Sequence, residues 1–370
     1  MTNATLSRRS FAKLIGLGAG YVALGPVHAD YTTPAAEPAT SIVRLSSNEN
    51  PYGPSPAALK AMTEGFSLAW RYPDEYADVL AGELAKLHNV PVEQILLGDG
   101  SGEILKLCAA AFTGRDKKVV MANPTFEAIG RHAGVANADV VKINLTSDYH
   151  HDLEKMIVAA NGAGLVYICN PNNPTASLTP KNELATFFAK LSLSTIVLVD
   201  EAYHHYVEST DYESVIPLVK DHPNLIVART FSKIYGMAGL RCGYCIAQRE
   251  NIRSMSVHQI FDSVNIMALV AANASLKDVD HVLRGRRLNS EVRKSVCTEL
   301  DKLGYHYIPS HANFMMIDLR REVRPVIGAL RARGVEVGRV FSALPNFMRV
   351  TIGTSSQMKE FVTAFKEVMA

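Results

Sequence analysis

The sequence predicts an α/β protein with a large, mostly parallel sheet and a smaller α+β lobe after it. Three observations carry that expectation. Short apolar, β-branched runs alternate with amphipathic stretches from about residue 95 to residue 247, the pattern of strands joined by helical crossovers. After Glu250 the pattern changes to longer helical stretches with a few strand-like pieces between them. Finally, 370 residues, 48% of them hydrophobic, suffice to bury a core larger than one lobe needs.

Taken in order, residues 1–29 read as an export signal. Ser7-Arg8-Arg9-Ser10-Phe11-Ala12-Lys13 is a twin-arginine pattern, a glycine-rich apolar run follows over 14–25, and Val27-His28-Ala29 offers a small-residue exit with cleavage after Ala29. That run is too short to cross a bilayer, and no cysteine stands at the exit to take a lipid. The expectation is a soluble protein moved by the twin-arginine translocase to the periplasm or beyond. Residues 30–60 form an N-terminal arm, rich in Pro, Ala and Thr over 31–40 and ordered from about Ile42. In the large domain, 61–265, residues 95–97, 119–121, 165–169, 196–199, 225–228 and 244–247 read as strands, and 103–112, 126–136 and 182–191 as helices. In the small domain, 266–370, a long helix is expected over 278–303, strands over 314–317 and 348–352, and a closing helix over 356–368.

Composition excludes several function classes. Lys and Arg number 38 against 36 Asp and Glu, a net charge of +2, so nothing draws the chain in bulk to nucleic acid or an anionic membrane. No helix-turn-helix extension precedes the motifs described below, which disfavours a regulator built around a binding module. Five scattered cysteines make no disulfide framework, and Cys242 and Cys245, three apart on a strand, face opposite sides rather than forming a redox pair. No cysteine or histidine cluster has the spacing of a metal site. The adjacent pairs His150-His151 and His204-His205 are expected to point apart, in surface or supporting positions.

Four stretches carry chemistry. In Arg229-Thr230-Phe231-Ser232-Lys233-Ile234-Tyr235-Gly236, a strand ends and a lysine follows at once, with Arg241 eight residues later. A lysine there is partly desolvated, which disfavours its charged form and frees the amine to attack an aldehyde. Thr230, Ser232 and the forked guanidinium of Arg241 together suit a phosphate. In Val197-Leu198-Val199-Asp200-Glu201-Ala202-Tyr203 an apolar strand delivers Asp200 at its carboxyl end, where open α/β sheets bind ligands. Cys169-Asn170-Pro171-Asn172-Asn173-Pro174-Thr175 is a polar turn after another strand, and Gly98-Asp99-Gly100-Ser101-Gly102-Glu103 runs from strand to helix with backbone N–H groups free to cradle an anion. Each alone has a bland reading: a solvated loop lysine, a helix-capping aspartate, a turn, a glycine loop.

Together these stretches resemble fold type I enzymes that use pyridoxal 5'-phosphate (PLP), most closely the histidinol-phosphate aminotransferase-like group of class I/II aminotransferases, from Asn48 to the C-terminus. The resemblance implies that Lys233 is the Schiff-base lysine and proton carrier, that Asp200 pairs with the pyridine nitrogen, and that Tyr203 and Asn173 bond the ring oxygen. It places the cofactor phosphate against Ser101, Gly102, Thr230, Ser232 and Arg241, and an aromatic stack at Phe126. Arg349 is similar to the family's α-carboxylate clamp, Asn313 and the segment containing Asn50 and Tyr52 lie on the substrate side, and Tyr72 resembles the tyrosine that reaches a neighbouring subunit's phosphate. A homodimer with shared active sites, acting on an L-amino acid and a 2-oxo acid, follows from the likeness.

Two departures stand out. Ala176 occupies a turn position where the family carries glycine, and an export signal is foreign to histidine biosynthesis in the cytoplasm. The cofactor residues serve the part common to PLP reactions, so oxygen-dependent oxidation of an amino acid such as arginine, or decarboxylation, stays open beside amino transfer.

Overall fold

The computed structural model describes residues 42–370, so the expected export signal and the stretch 30–41 of the arm lie outside the described residues. The strands in chain order are β1 Val43–Leu45, β2 Ile95–Gly98, β3 Lys118–Asn123, β4 Val140–Asn144, β5 Ala163–Cys169, β6 Ile196–Asp200, β7 Leu225–Thr230, β8 Gly243–Ala247, β9 His306–Ile308, β10 Phe314–Asp318, β11 Val335–Val337 and β12 Phe347–Thr351. Seven of them form the main sheet in the order β2-β8-β7-β6-β5-β3-β4. Only β8 runs against its neighbours; the pairings from β7 across to β4 are parallel.

The central strands are buried on both faces, which is why they read as unbroken apolar runs rather than alternating ones. Every residue of β5 and of β7 is buried. Strand alternation sends Val197, Val199 and Val227 into one core and Leu198, Ala228 and Tyr167 into the other. This division decides which side chains at the strand ends meet the site.

Helices join the strands as expected: Gly100–Phe112 after β2, Ala128–Val135 after β3 and Lys181–Lys190 between β5 and β6. The second region holds the long helix Val279–Lys302, an antiparallel sheet β12-β10-β9 and the closing helix Ser355–Met369. That last helix begins with a full capping box between Thr354 and Gln357. β1 pairs in parallel with β11, so the start of the described chain is tied to its last quarter. The half-exposed edge strand β4 and the helices Pro56–Gly65, Asp74–His88 and Leu153–Ala159 were not expected. Asp74–His88 carried its signals openly: Pro73 before it, Asp74 and Glu75 in its first turn, and a left-handed Asn89 at its end.

One expectation is overturned. His204 and His205 do not point apart; a 3-10 turn over His204–Tyr206 replaces regular structure there, and the two half-buried imidazoles meet with ring centroids 3.6 Å apart. All five cysteines are free.

Candidate active site

The carboxyl ends of β5, β6 and β7 and the start of the helix Gly100–Phe112 open on one cavity of about 260 Å³. Eleven of the expected site residues line it, including Lys233, Asp200, Tyr203, Asn173 and Arg349. They fall into three groups.

At one end stand Ser101, Gly102, Thr230, Ser232 and Arg241. No side chain caps the first turn of the helix Gly100–Phe112, so its leading N–H groups are available to an anion. Arg241 donates to Ser232 Oγ at 3.4 Å and to the Ala238 carbonyl at 3.0 Å, which holds its guanidinium over that turn. Gly100 has φ +72° and packs under Arg241; a Cβ there would collide with the guanidinium. Helix dipole, N–H groups, three hydroxyls and an arginine make a donor set suited to a phosphate.

In the middle stand Asp200 and Lys233. Asp200 ends β6 and is buried, accepting from Tyr167 Oη at 2.9 Å and from the Ala202 N–H at 3.1 Å. Burial pushes its carboxyl up to about 6, with those two hydrogen bonds and Lys233 pulling the other way. The Lys233 amine donates to the Asn48 carbonyl at 3.1 Å and lies 5.5 Å from the centre of the Tyr203 ring. Burial first, then the neighbouring Arg349 charge, lower it to about 8. An acid group that stays ionised at neutral pH thus faces a cavity it shares with an amine that sheds its proton readily. Phe126, 38% exposed, lines the rim.

The third group faces away from the sheet. Arg349 on β12 donates to Asn173 Oδ1 at 2.8 Å and to the Ser46 carbonyl at 2.7 Å, while its Nε is buried without a partner. Asn313 immediately precedes β10, the strand paired with β12, but does not line the cavity; it donates to the carbonyls of Asn48 and Glu49 at 3.1 and 3.2 Å. Asn50 also lies outside the lining, donating to the Ile234 carbonyl at 2.8 Å and accepting from the Tyr52 N–H at 3.1 Å. Those three residues brace the wall. Tyr72 is 81% exposed and does not line the cavity of its own chain.

Asn48 was missed as an individual residue, though its segment was not. Its backbone sits at φ +56°, its carbonyl receives both Lys233 and Asn313, and its amide donates to Tyr203 Oη at 3.1 Å. Tyr167 was also missed. Its place three residues before the Asn-Pro turn on a buried strand is visible in the sequence, but the hydroxyl's contact with Asp200 depends on the pairing of β5 with β6. Ala176 adopts the left-handed φ of +58° that glycine takes without cost, is fully buried, and still makes the turn's hydrogen bond to the Asn172 carbonyl.

Comparison with known proteins agrees with this geometry. Residues 40–365 match the family described as aminotransferase class I and II, and the chain belongs to that family. It is 39% identical over 334 residues to the histidinol-phosphate aminotransferase of Moorella thermoacetica, an alignment covering 89% of this chain and 86% of that one. Among solved structures it resembles the histidinol-phosphate aminotransferase of Sinorhizobium meliloti in complex with pyridoxal 5'-phosphate, with a TM-score of 0.83, 25% identity, and coverage of 88% of this chain and 90% of that chain. The L-threonine-O-3-phosphate decarboxylase of Porphyromonas gingivalis shares the fold at 22% identity and a TM-score of 0.77, covering 88% of this chain and 99% of that one. The chain is therefore a fold type I aminotransferase relative by sequence and by architecture.

Proposed function

We propose that this aminotransferase transfers an amino group between an L-amino acid and a 2-oxo acid, with PLP attached at Lys233. The observation that carries the assignment is the shared cavity: Lys233 and Asp200 in its middle, the uncapped helix start with Arg241 at one end, and Arg349 at the other. The donor set fits the cofactor. Hydroxyls, N–H groups and a guanidinium match its phosphate, Asp200 matches a ring nitrogen, Tyr203 and Asn173 match a ring oxygen, and Phe126 is placed to cover the ring.

When bound, PLP supplies an electron sink for the bond broken at the substrate's α-carbon. The rest is the work of the chain. Asp200, ionised above about pH 6, favours a protonated ring nitrogen. Lys233, lowered to about 8, takes a proton at Nζ and returns it, which comes more readily to an amine whose charged form burial has weakened than to a solvated lysine. Arg349 lines the cavity with its guanidinium held by Asn173 and Ser46, and its charge and remaining Nη hydrogens suit an α-carboxylate, fixing which bond faces Lys233. Burial of Tyr203 pushes its hydroxyl well up, so it stays protonated and donates.

The chain works as a homodimer with shared sites in this reading. Phe66, Trp70, Tyr72, Ile260 and Phe261 are large apolar side chains left exposed, and a second copy is the partner that would cover them and bring Tyr72 to a neighbouring phosphate end. The twin-arginine signal over 1–29 supports export of the folded enzyme to the periplasm or outside the cell. Sphaeroplast fractionation with sequencing of the mature N-terminus tests that part.

The central test is Lys233→Ala. It should abolish both the visible absorption of the bound cofactor and amino transfer from a panel of amino acids to common oxo acids. Retention of both sinks the assignment. Oxygen uptake or carbon dioxide release in place of oxo-acid-dependent amino transfer would instead point to oxidation or decarboxylation.

A further inference from the structure

Asp200 and Lys233 must hold a fixed separation across one small ring, yet no bond joins them. Asp200 ends β6 and Lys233 follows the end of β7 by three residues; besides the backbone ladder between these strands, side chains tie them on the reverse face. Alternation along β7 turns Thr230 toward the cavity with Ala228, and turns Arg229 away from it with Val227. Arg229 Nε and Nη2 donate to Glu201 Oε2 at 2.9 and 2.6 Å. Both side chains are buried, with 7% and 1% exposure.

Glu201 follows Asp200 directly, and Arg229 precedes Thr230. The same carboxylate also accepts from Ser214 Oγ and from the Val215 N–H, each at 2.8 Å. The same guanidinium donates to His204 Nε2 at 2.6 Å and to Ser214 Oγ at 2.8 Å. Because arginine has no acceptor, His204 must offer a bare nitrogen there, so it is neutral and its ring is locked beside Tyr203. Burial and the Arg229 charge hold it well below its usual range. One ion pair therefore ties the residues next to Asp200, Tyr203 and Thr230, three of the positions that line the cavity.

We propose that the Glu201–Arg229 pair is the positioning element that sets the separation of Asp200 and Lys233, so that its loss impairs turnover beyond any loss of stability. The inference rests on the assignment of those two residues above. Buried pairs of this kind cost desolvation and are often replaced by apolar residues without loss of stability, whereas removing one partner alone is strongly destabilising. That asymmetry separates positioning from mere stability.

The groups around the pair make its electrostatic mark readable. Arg229 faces Glu201, His204, His205, His88, Tyr212 and Tyr244, and no second carboxylate besides Glu201 contacts it among the described residues. Asp200 faces Tyr167, Cys169 and Tyr203, the Ala202 N–H, Lys233 and, through the chain, Glu201. Taking away the Glu201 charge removes a like charge from beside Asp200 and leaves the Arg229 charge uncompensated; both changes favour the ionised carboxyl.

The experiment compares the full-length holoenzyme with Glu201→Gln, Ser214→Ala and the double variant Glu201→Leu/Arg229→Met, reading thermal midpoint, kcat, KM for the amino donor, and the pH titration of the cofactor's visible band. The double variant avoids an uncompensated buried charge but strands the Val215 N–H, Ser214 Oγ and His204 Nε2, so its thermal midpoint should fall, while kcat assayed well below that midpoint drops by about tenfold to a hundredfold, the range expected of a sub-ångström to one-ångström misplacement. Glu201→Gln keeps the shape of the pair but leaves the Arg229 charge uncompensated, so its thermal midpoint should fall; assayed well below that midpoint, it should show a lowered kcat and an acid limb of the band's titration shifted downward. Ser214→Ala should lower kcat to a smaller degree. A folded double variant with parental kcat, KM and titration overturns the proposal. If that variant does not fold, Glu201→Gln decides alone, and parental kcat with an unmoved titration in it is equally fatal. Wild-type protein that takes up no PLP would overturn the site assignment and this inference together; uptake with unchanged variants would overturn the inference only.

Discussion

The cavity wall that carries Asp200, Lys233 and Arg241 comes from neighbouring strand ends of one sheet, whereas the wall that carries Arg349 and Asn48 is assembled from distant parts of the chain. Along the first wall, the functional residues cluster at strand ends and a helix start: Asp200 ends β6, Thr230 ends β7, and Ser101 opens a helix. Along the second, Arg349 reaches Ser46 and Asn48 reaches Thr351, contacts that each span 303 positions. The first wall is local grammar on a sheet edge. The second exists only once β1 has paired with β11.

This contrast predicts separable defects. The largest belongs to the sheet wall: Asp200→Asn should lower kcat on the order of a hundredfold to a thousandfold, as when a charge-stabilising group is removed from an enzyme site, while the cofactor band persists at Lys233. Wild-type turnover in that variant would dissolve the distinction between holding the cofactor and activating it. Next comes the other wall. Arg349→Ala should reduce kcat/KM for the amino donor by about a hundredfold, carried mainly by KM, with cofactor affinity unchanged. A variant that loses cofactor instead would show that the two walls are not functionally separate.

The same contrast explains which parts of the molecule are legible from sequence. The strands β5 to β8 and the residues Ser101, Asp200, Lys233 and Arg241 were legible because burial on both faces leaves unbroken apolar runs and because ligands collect where such runs end. Arg349 was legible only through family resemblance, since an arginine on a short strand says nothing by itself. Asn48 as a hub, Tyr167 behind Asp200, and the Glu201–Arg229 pair were not legible at all. Each depends on register between strands or on contact across hundreds of residues, and neither is encoded in local spacing. The contact between His204 and His205 was missed for a related reason: the expectation assumed regular structure where the chain makes a 3-10 turn.

A smaller effect sharpens the sheet wall through pH. Only the neutral amine of Lys233 attacks an aldehyde, and its lowered value of about 8 means that the neutral fraction grows about tenfold per pH unit below that point. The rate at which apoenzyme takes up PLP should therefore climb from about pH 6 to 7 and level off above about 8, followed by growth of the visible band after rapid mixing. A plateau reached only above about pH 10 would mean an ordinary solvated lysine. The smallest effect concerns Ala176. Relief of its left-handed backbone by glycine, worth about 1 to 2 kcal/mol, is opposed by glycine's greater freedom when unfolded, about 0.5 to 1, and by loss of a buried methyl, about 0.8. Ala176→Gly should thus move stability by less than about 1 kcal/mol and leave the Asn173–Arg349 contact and kcat intact; a large loss in denaturant titration would show that the methyl is essential to packing.

The tether between Asn48 and Thr351 has a consequence for how the enzyme comes into being. A nascent polypeptide possesses its reactive lysine and the whole phosphate end long before it owns the strand that carries Arg349, so the side that holds vitamin B6 phosphate is complete in the chain before the side that grips the amino donor. Truncated products that stop short of β12 should lose the hold on the amino donor before anything else.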